Sequence, residues 1–243
     1  MAIFAAGIAA GTINTVVGSG TLITFPALLA FGYAPVTANV SNTIGLVPGS
    51  VAGAVGYRRE LTGQRSRTVR LAIASTVGGI AGAIALVSLP PSAFKAIVPV
   101  FIAIALVLIV IQPRLARVLG ARRRDAHQSA GPAATIGVLL SGVYGGYFGA
   151  AQGIMLLAIL TLALDDKLQR VNALKVVLVG LVNLVAGVIF VFVAHVAWVA
   201  AGLIAAGSII GGTIGAREGR RLSPTALRAV IVVVGVIAIV RLL

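Results

Sequence analysis

Gly7-Ile8-Ala9-Ala10-Gly11-Thr12-Ile13-Asn14-Thr15-Val16-Val17-Gly18-Ser19-Gly20-Thr21-Leu22-Ile23-Thr24-Phe25-Pro26-Ala27-Leu28-Leu29-Ala30-Phe31 is an apolar stretch broken in its middle by Gly18-Ser19-Gly20. A second stretch, Gly137 to Leu164, is broken the same way by Gly149-Ala150-Ala151-Gln152-Gly153. The pieces on either side of each break, Ala2–Val17 and Thr21–Phe31, then Ala133–Phe148 and Ile154–Leu164, are short for a bilayer crossing. A crossing of about 30 Å of hydrocarbon takes about 20 helical residues. Each broken stretch is therefore either one interrupted span or a re-entrant hairpin. Interruptions at matching places in two halves are where transporters tend to build a substrate site.

Composition sets the solvent. Of 243 residues, 59% are hydrophobic and 10% charged, with a mean hydropathy of +1.11, which is too apolar for a soluble domain of this size. Nearly the whole length is expected to be membrane helices and short connections, with no separate soluble domain. The opening Met1–Ala10 lacks a basic leading region and reads as part of the mature fold rather than a signal peptide. There is no cysteine, and the two histidines, His127 and His195, are far apart, so no disulfide, metal centre or cofactor is expected. A net charge of +14 would suggest nucleic acid for a soluble protein. Here the basic residues lie between apolar stretches, where they meet anionic lipid and fix orientation, so the expected partners are the bilayer and not nucleic acid. Arginine supplies 16 of the 19 basic residues, which points to a high-GC bacterial source through codon usage and says nothing of function; the chain is expected to be a multi-pass membrane protein.

The spanning stretches are Ala38–Tyr57, Val69–Leu89, Ala96–Gln112, Leu168–Ala194, Val199–Gly215 and Thr225–Val240. Charge places their connections. Arg58, Arg59, Arg65, Arg67 and Arg70 form one basic loop, Arg114, Arg117, Arg122, Arg123 and Arg124 a second, and Arg217, Arg220 and Arg221 a third; all three should be cytoplasmic. Between the second and third loops lie a broken stretch and two spans, and two loops on one side are joined by an even number of crossings. The broken stretch must return to the side it came from, which puts Asp165–Arg170 in the cytoplasm and makes Gly137–Leu164 a hairpin dipping into the membrane. Irregular backbone at that depth survives only when buried in protein or lining a cavity.

The same shape in the first half predicts an all-α polytopic membrane protein of two inverted repeats, each a re-entrant or broken helical hairpin plus three transmembrane helices. The first repeat is residues 1–112, a basic cytoplasmic linker 113–132, the second repeat 133–243. An offset of 133 supports the repeat, because Gly20 falls on Gly153, Asn39 on Asn172, Asn42 on Lys175 and Ser50 on Asn183. Asn39, Asn42, Leu46 and Ser50, like Asn172, Lys175, Val179 and Asn183, fall on one helix face. Two polar stripes therefore face away from lipid. Each asparagine is explained equally by hydrogen bonding between packed helices or by a substrate contact.

Lys175 stands out, two turns into a span. It either snorkels to the cytoplasmic interface or marks an anion site. The five acidic residues, Glu60, Asp125, Asp165, Asp166 and Glu218, are all in loops or at span ends, so the core has nothing to coordinate a cation or relay protons. Helix starts just after the two glycine tips favour negative charge, glycine lets backbone approach a ligand, and Ser19, Thr21 and Gln152 add side-chain donors. The combination suits a small oxyanion: sulfonate, sulfite or carboxylate.

The first signature, with Gly32-Tyr33-Ala34-Pro35-Val36-Thr37-Ala38-Asn39-Val40-Ser41-Asn42 after it, resembles the opening of the TauE/SafE sulfite exporter family. Ser141-Gly142-Val143-Tyr144-Gly145-Gly146-Tyr147-Phe148-Gly149-Ala150-Ala151-Gln152-Gly153, followed by Val171-Asn172-Ala173-Leu174-Lys175, looks like that signature repeated. The resemblance covers almost the whole chain. It implies a bacterial plasma-membrane transporter exporting sulfite, sulfoacetate or a related organosulfur anion, with substrate-binding positions at Asn14, Gly18, Gly20, Asn39, Asn42, Gln152, Gly153, Asn172 and Lys175, to which the tip donor Ser19 is added. Pro26 is matched by Ile159, so the two hairpins need not bend alike.

Alternating access is the expected mechanism, with the hairpins rocking about a mid-membrane site. Export of an anion from a cell negative inside is favoured by about 2.3 kcal/mol per charge per 100 mV, and without a proton relay in the core the reading leans to export. The rivals are an importer or a carrier of a carboxylate, a channel, a structural subunit, and an intramembrane enzyme. No catalytic residue is assigned, because no carboxylate pair, Ser/His dyad or metal cluster lies at membrane depth. Assembly with copies of itself is left open.

Overall fold

Long runs of Ala, Leu, Ile and Val, with backbone amides that find no water in a bilayer, leave the helix as the only open-chain solution. The computed structural model describes residues 1–121 and 131–219, together with 229, 231–233 and 236. Among them it has nine α-helices and no strand: α1 (Ala2–Val16), α2 (Thr21–Ala30), α3 (Pro35–Gly56), α4 (Arg65–Ser88), α5 (Pro91–Ala121), α6 (Pro132–Tyr147), α7 (Gln152–Ala163), α8 (Leu168–Val193) and α9 (Trp198–Glu218). Both broken stretches are helix–turn–helix hairpins, α1–α2 and α6–α7. The expected span Thr225–Val240 lies outside the described residues except at a few positions, and so do Arg122, Arg123, Arg124, Arg220 and Arg221.

Among the described residues four helices are long and apolar enough to cross a membrane: α4, α5 over Pro91–Ile111, α8 and α9. The expected span Ala38–Tyr57 is helical as α3, whose 22 residues reach about 33 Å at 1.5 Å per residue. It is less apolar because its buried side carries Asn39, Ser41, Asn42, Thr43 and Ser50. A helix surrounded by protein need not be dressed for lipid. The expected span Ala96–Gln112 begins earlier and ends later, running from Pro91 to Ala121.

Packing follows the placement of small residues. On α4 the buried residues are mostly small (Ala74, Ser75, Gly78, Gly79, Gly82 and Ala83), while Val69, Ile73, Val77, Ile80, Ile84 and Val87 are exposed. Lipid tails are as apolar as leucine, so large aliphatic groups gain nothing from burial there, and smooth glycine faces bring backbones together. A Cβ on Gly82 would stand 2.0 Å from the Val143 carbonyl oxygen of α6, and one on Gly211 2.0 Å from the Ile8 carbonyl oxygen of α1. Helix α1 thus lies against α9 and α6 against α4, each pair running in the same direction. Helices α3 and α8 cross at the centre in opposite directions, with Gly180 against Ser50 and Gly187 against Ile44.

Three charged segments share one end of the bundle. Arg67 pairs with Asp166, and Arg170 Nε donates to Asp166 Oδ2 at 3.0 Å and lies 2.9 Å from Oδ1 in an ion pair. Gln64 Nε2 donates to the Arg170 carbonyl at 3.3 Å. The α3–α4 and α7–α8 connections are thereby joined, as the parity of crossings predicts. Arg217 at the end of α9 lines a cavity with Arg58 and Arg59, at the same end. At the other end the Ala197 N–H donates to Ser41 Oγ at 2.9 Å, tying the α8–α9 connection to the start of α3.

Candidate functional site

The first hairpin turns through Val17–Gly20, with Gly18 at φ +90°, and the second through Phe148–Ala151, with Gly149 at φ +76°. The turn geometry therefore aligns Gly18 with Gly149, not Gly20 with Gly153. Helices α2 and α7 start 131 residues apart and α3 and α8 start 133 apart, because α7 has 12 residues where α2 has 10. The second turn also holds Ala151 in the left-handed region, φ 60° and ψ 15°, a conformation that costs an alanine about 1–2 kcal/mol. Surrounding structure has to impose it.

The two turns meet. The Gly153 N–H donates to the Gly18 carbonyl at 3.1 Å, and a Cβ on either glycine would lie 2.5 Å from the other's Cα. No other residue allows that approach. The N–H groups of Gln152, Gly153, Ile154 and Met155 all have backbone acceptors, Gly18 of the opposite tip for Gly153 and the turn's own Gly149 and Ala151 for the others, so the open helix start expected at α7 is closed.

Lys175 is fully buried beside this contact and does not snorkel. Its Nζ donates to the Asn14 and Thr15 carbonyls, each at 3.1 Å, and its Cδ would be 2.9 Å from a Cβ on Gly153. Asn172 Nδ2 donates to the same Thr15 carbonyl at 3.3 Å. A cation at the carbonyl end of a helix is favoured by the helix dipole. Among the described residues no carboxylate pairs with it. The opposite half repeats the arrangement with a neutral group, since Asn39 Nδ2 donates to the Tyr147 carbonyl at the end of α6, at 3.1 Å.

All eight residues of the two stripes are buried. Gly18, Gly153, Asn14, Asn172 and Lys175 gather around the tip contact. Gly20 packs against Asn14 and the Ala10 carbonyl, and Asn14 Nδ2 reaches Ser50 Oγ at 3.4 Å. Asn39 belongs instead to the end of α6. Asn42 joins α3 to α2: its Nδ2 donates to Thr21 Oγ1 at 3.2 Å and its Oδ1 accepts from Thr24. Gln152 lies over Gly145, where a Cβ would be 2.2 Å from its Cδ. Both Gln152 amide atoms, Ser19 Oγ, Asn39 Oδ1 and Asn172 Oδ1 are buried with no hydrogen-bond partner.

Several participants escaped the sequence reading. Thr15 and Tyr147 act through main-chain oxygens, which leave no side-chain signal. Thr24 lies one turn from Thr21, a spacing that could have been noticed. Phe148 packs edge-on against Phe25 at 5.2 Å and against Phe94 at 6.0 Å, an aromatic support for the second turn drawn from three separate helices or turns.

The family model described as Sulfite exporter TauE/SafE matches residues 3–242. The chain is 28% identical over 245 residues to the "Probable membrane transporter protein ORF9" of a Sinorhizobium species, covering 99% of this chain and 91% of that protein. It is 26% identical over 243 residues to the "Probable membrane transporter protein YfcA" of Escherichia coli K12, covering 99% and 88%. A "Probable membrane transporter protein" of Haemophilus influenzae is 28% identical over 235 residues, covering 95% and 89%. No solved structure matches significantly.

Proposed function

The chain belongs to the TauE/SafE sulfite exporter family of membrane transporters, and from that premise we propose that it exports a small sulfur oxyanion such as sulfite or sulfoacetate by alternating access. The observation that carries the reading is Lys175, a fully buried lysine with no carboxylate partner among the described residues, packed against two touching turns whose Gln152 amide and Ser19 hydroxyl are unpartnered. A buried charge is costly without a counter-ion, and an anion between the turns would supply one. The Gly18–Gly153 contact then describes a closed arrangement, and substrate entry requires the turns to part.

Helix pairing supports two inverted repeats. If α1, α2, α3 and α4 correspond to α6, α7, α8 and α9, the α1–α9 pair becomes α6–α4, and the α3–α9 pair becomes α8–α4; both partners exist. The bridging of Asn172 to the end of α1 and of Asn39 to the end of α6 obeys the same exchange. Rocking one repeat against the other would break and remake these bonds.

Purified protein in liposomes loaded with sulfite, sulfoacetate or acetate tests this. Lys175→Ala and Gln152→Ala proteins that remain monodisperse should export at least tenfold more slowly than the parent. A folded Lys175→Ala protein working at the parental rate would refute the anion site. Acetate moving in preference to either sulfur anion would instead select the carboxylate reading.

A further inference from the structure

At the basic end of the bundle, between the last turns of α3 and α9, lies a cavity of about 580 Å³ lined by Ala52, Val55, Gly56, Arg58, Arg59, Glu60, Thr213 and Arg217. Three guanidiniums face one carboxylate there. No part of the tip site reaches this cavity, and the transport reading does not use it. The crease between α3 and α9 continues from it along exposed apolar side chains, Val51 and Val55 on α3 and Ile209 and Ile210 on α9. Val55 stands about one helical turn, and Val51, Ile209 and Ile210 about two turns, deeper in the membrane than the charged groups, where an acyl chain runs below its headgroup.

We propose that this cavity binds the phosphate of an anionic phospholipid of the cytoplasmic leaflet, with Arg58, Arg59 and Arg217 on the headgroup and an acyl chain along the crease. Guanidinium forks match phosphate oxygens in pairs. Basic pockets between transmembrane helices on the cytoplasmic side suit anionic headgroups. Cavity and crease together specify a lipid, because a free phosphate would use the arginines and leave the apolar crease unused.

The test is the thermal midpoint of the detergent-solubilised protein titrated with phosphatidylglycerol, with phosphatidylcholine, or with glycerol 3-phosphate. Phosphatidylglycerol should raise the midpoint saturably, and the other two should not. In the Arg58→Gln/Arg217→Gln variant the half-saturating phosphatidylglycerol concentration should rise about tenfold or more, since each basic residue near an anionic surface contributes about 1 kcal/mol. Arg65→Gln/Lys167→Gln removes the same charge from the same end and should leave it unchanged. Equal weakening in both double variants would reduce the effect to general attraction and overturn the site. Protection by glycerol 3-phosphate as strong as by the lipid would overturn the lipid assignment. Should Arg58→Gln/Arg217→Gln fail to fold, Arg217→Gln alone is read against Arg65→Gln, with the same outcomes.

Discussion

Lys175 places its Nζ at the carbonyl end of α1, where two main-chain oxygens accept its hydrogen bonds in place of water and the helix dipole favours a cation. That arrangement ties the lysine to the very helix end that leads into Gly18. Gly18 is left-handed and pressed on the Gly153 backbone, so Gly18→Ala meets two penalties. The left-handed backbone costs an alanine about 1–2 kcal/mol, and the 2.5 Å approach forces the turns apart. A Gly18→Ala protein should lose several degrees of thermal midpoint and most transport. Gly202→Ala, in α9 with open space around its Cβ, should be neutral or gain about 1 kcal/mol from helix propensity. Equal behaviour of the two would mean the tip contact does not form. The importance of Gly18 was legible from the break in hydropathy. Its partner was not, because a glycine-on-glycine contact between segments 135 residues apart leaves no mark in either segment.

Among the helices, closeness is set by glycine. Gly78 and Gly211 occupy corresponding contacts, α4 on α6 and α9 on α1, where a Cβ would stand 2.1 Å from the Leu139 carbonyl oxygen and 2.0 Å from that of Ile8. Gly78→Val and Gly211→Val should therefore damage the protein to a similar degree, each by several kcal/mol of lost packing, seen as a drop in monodisperse yield and thermal midpoint. One variant folding normally while the other fails would break the proposed equivalence of the two pairs. Within the described residues the hairpins and the helices of five of the six expected spans, four of them long and apolar enough to cross a membrane, were readable from apolar length and loop charge. The polar stripe of α3 was readable as facing away from lipid. Its roles were not, since Asn39 and Asn42 share a face yet serve different neighbours, the end of α6 and the side of α2. Helical spacing reports a face; the neighbour behind it comes only from the fold.

Across the whole molecule, the connections at the basic end hold the two halves together. Burial pushes the Asp166 carboxyl up, but hydrogen bonds from Arg67, Arg170 and the Lys167 N–H, with the charge of Arg67, outweigh it and leave its pKa lowered. Because the folded value lies below the unfolded one, the contribution is complete above about pH 5 and is lost as pH falls through the folded value. Asp166→Asn should lower stability modestly at neutral pH and remove part of the acid-induced loss; an unchanged acid profile would show that the latch contributes nothing.

Inversion itself makes a sharper demand. Thr62 follows α3 and His195 follows α8, so they are equivalent positions in the two repeats, yet inversion puts them on opposite sides of the membrane. Ala34, after the first hairpin, and Lys167, after the second, are likewise equivalent and opposed. The chain has no cysteine, so single cysteines at these four exposed sites can be labelled one at a time in intact cells with a membrane-impermeant maleimide. Ala34→Cys and His195→Cys should react from outside, while Thr62→Cys and Lys167→Cys should react only after the cells are opened, in keeping with the arginines around Thr62 facing the cytoplasm. Thr62→Cys and His195→Cys labelling from the same side would exclude inverted repeats. The shared end observed for Thr62 and Lys167, whose connections meet through Arg67, Asp166 and Arg170, predicts that those two will always label together.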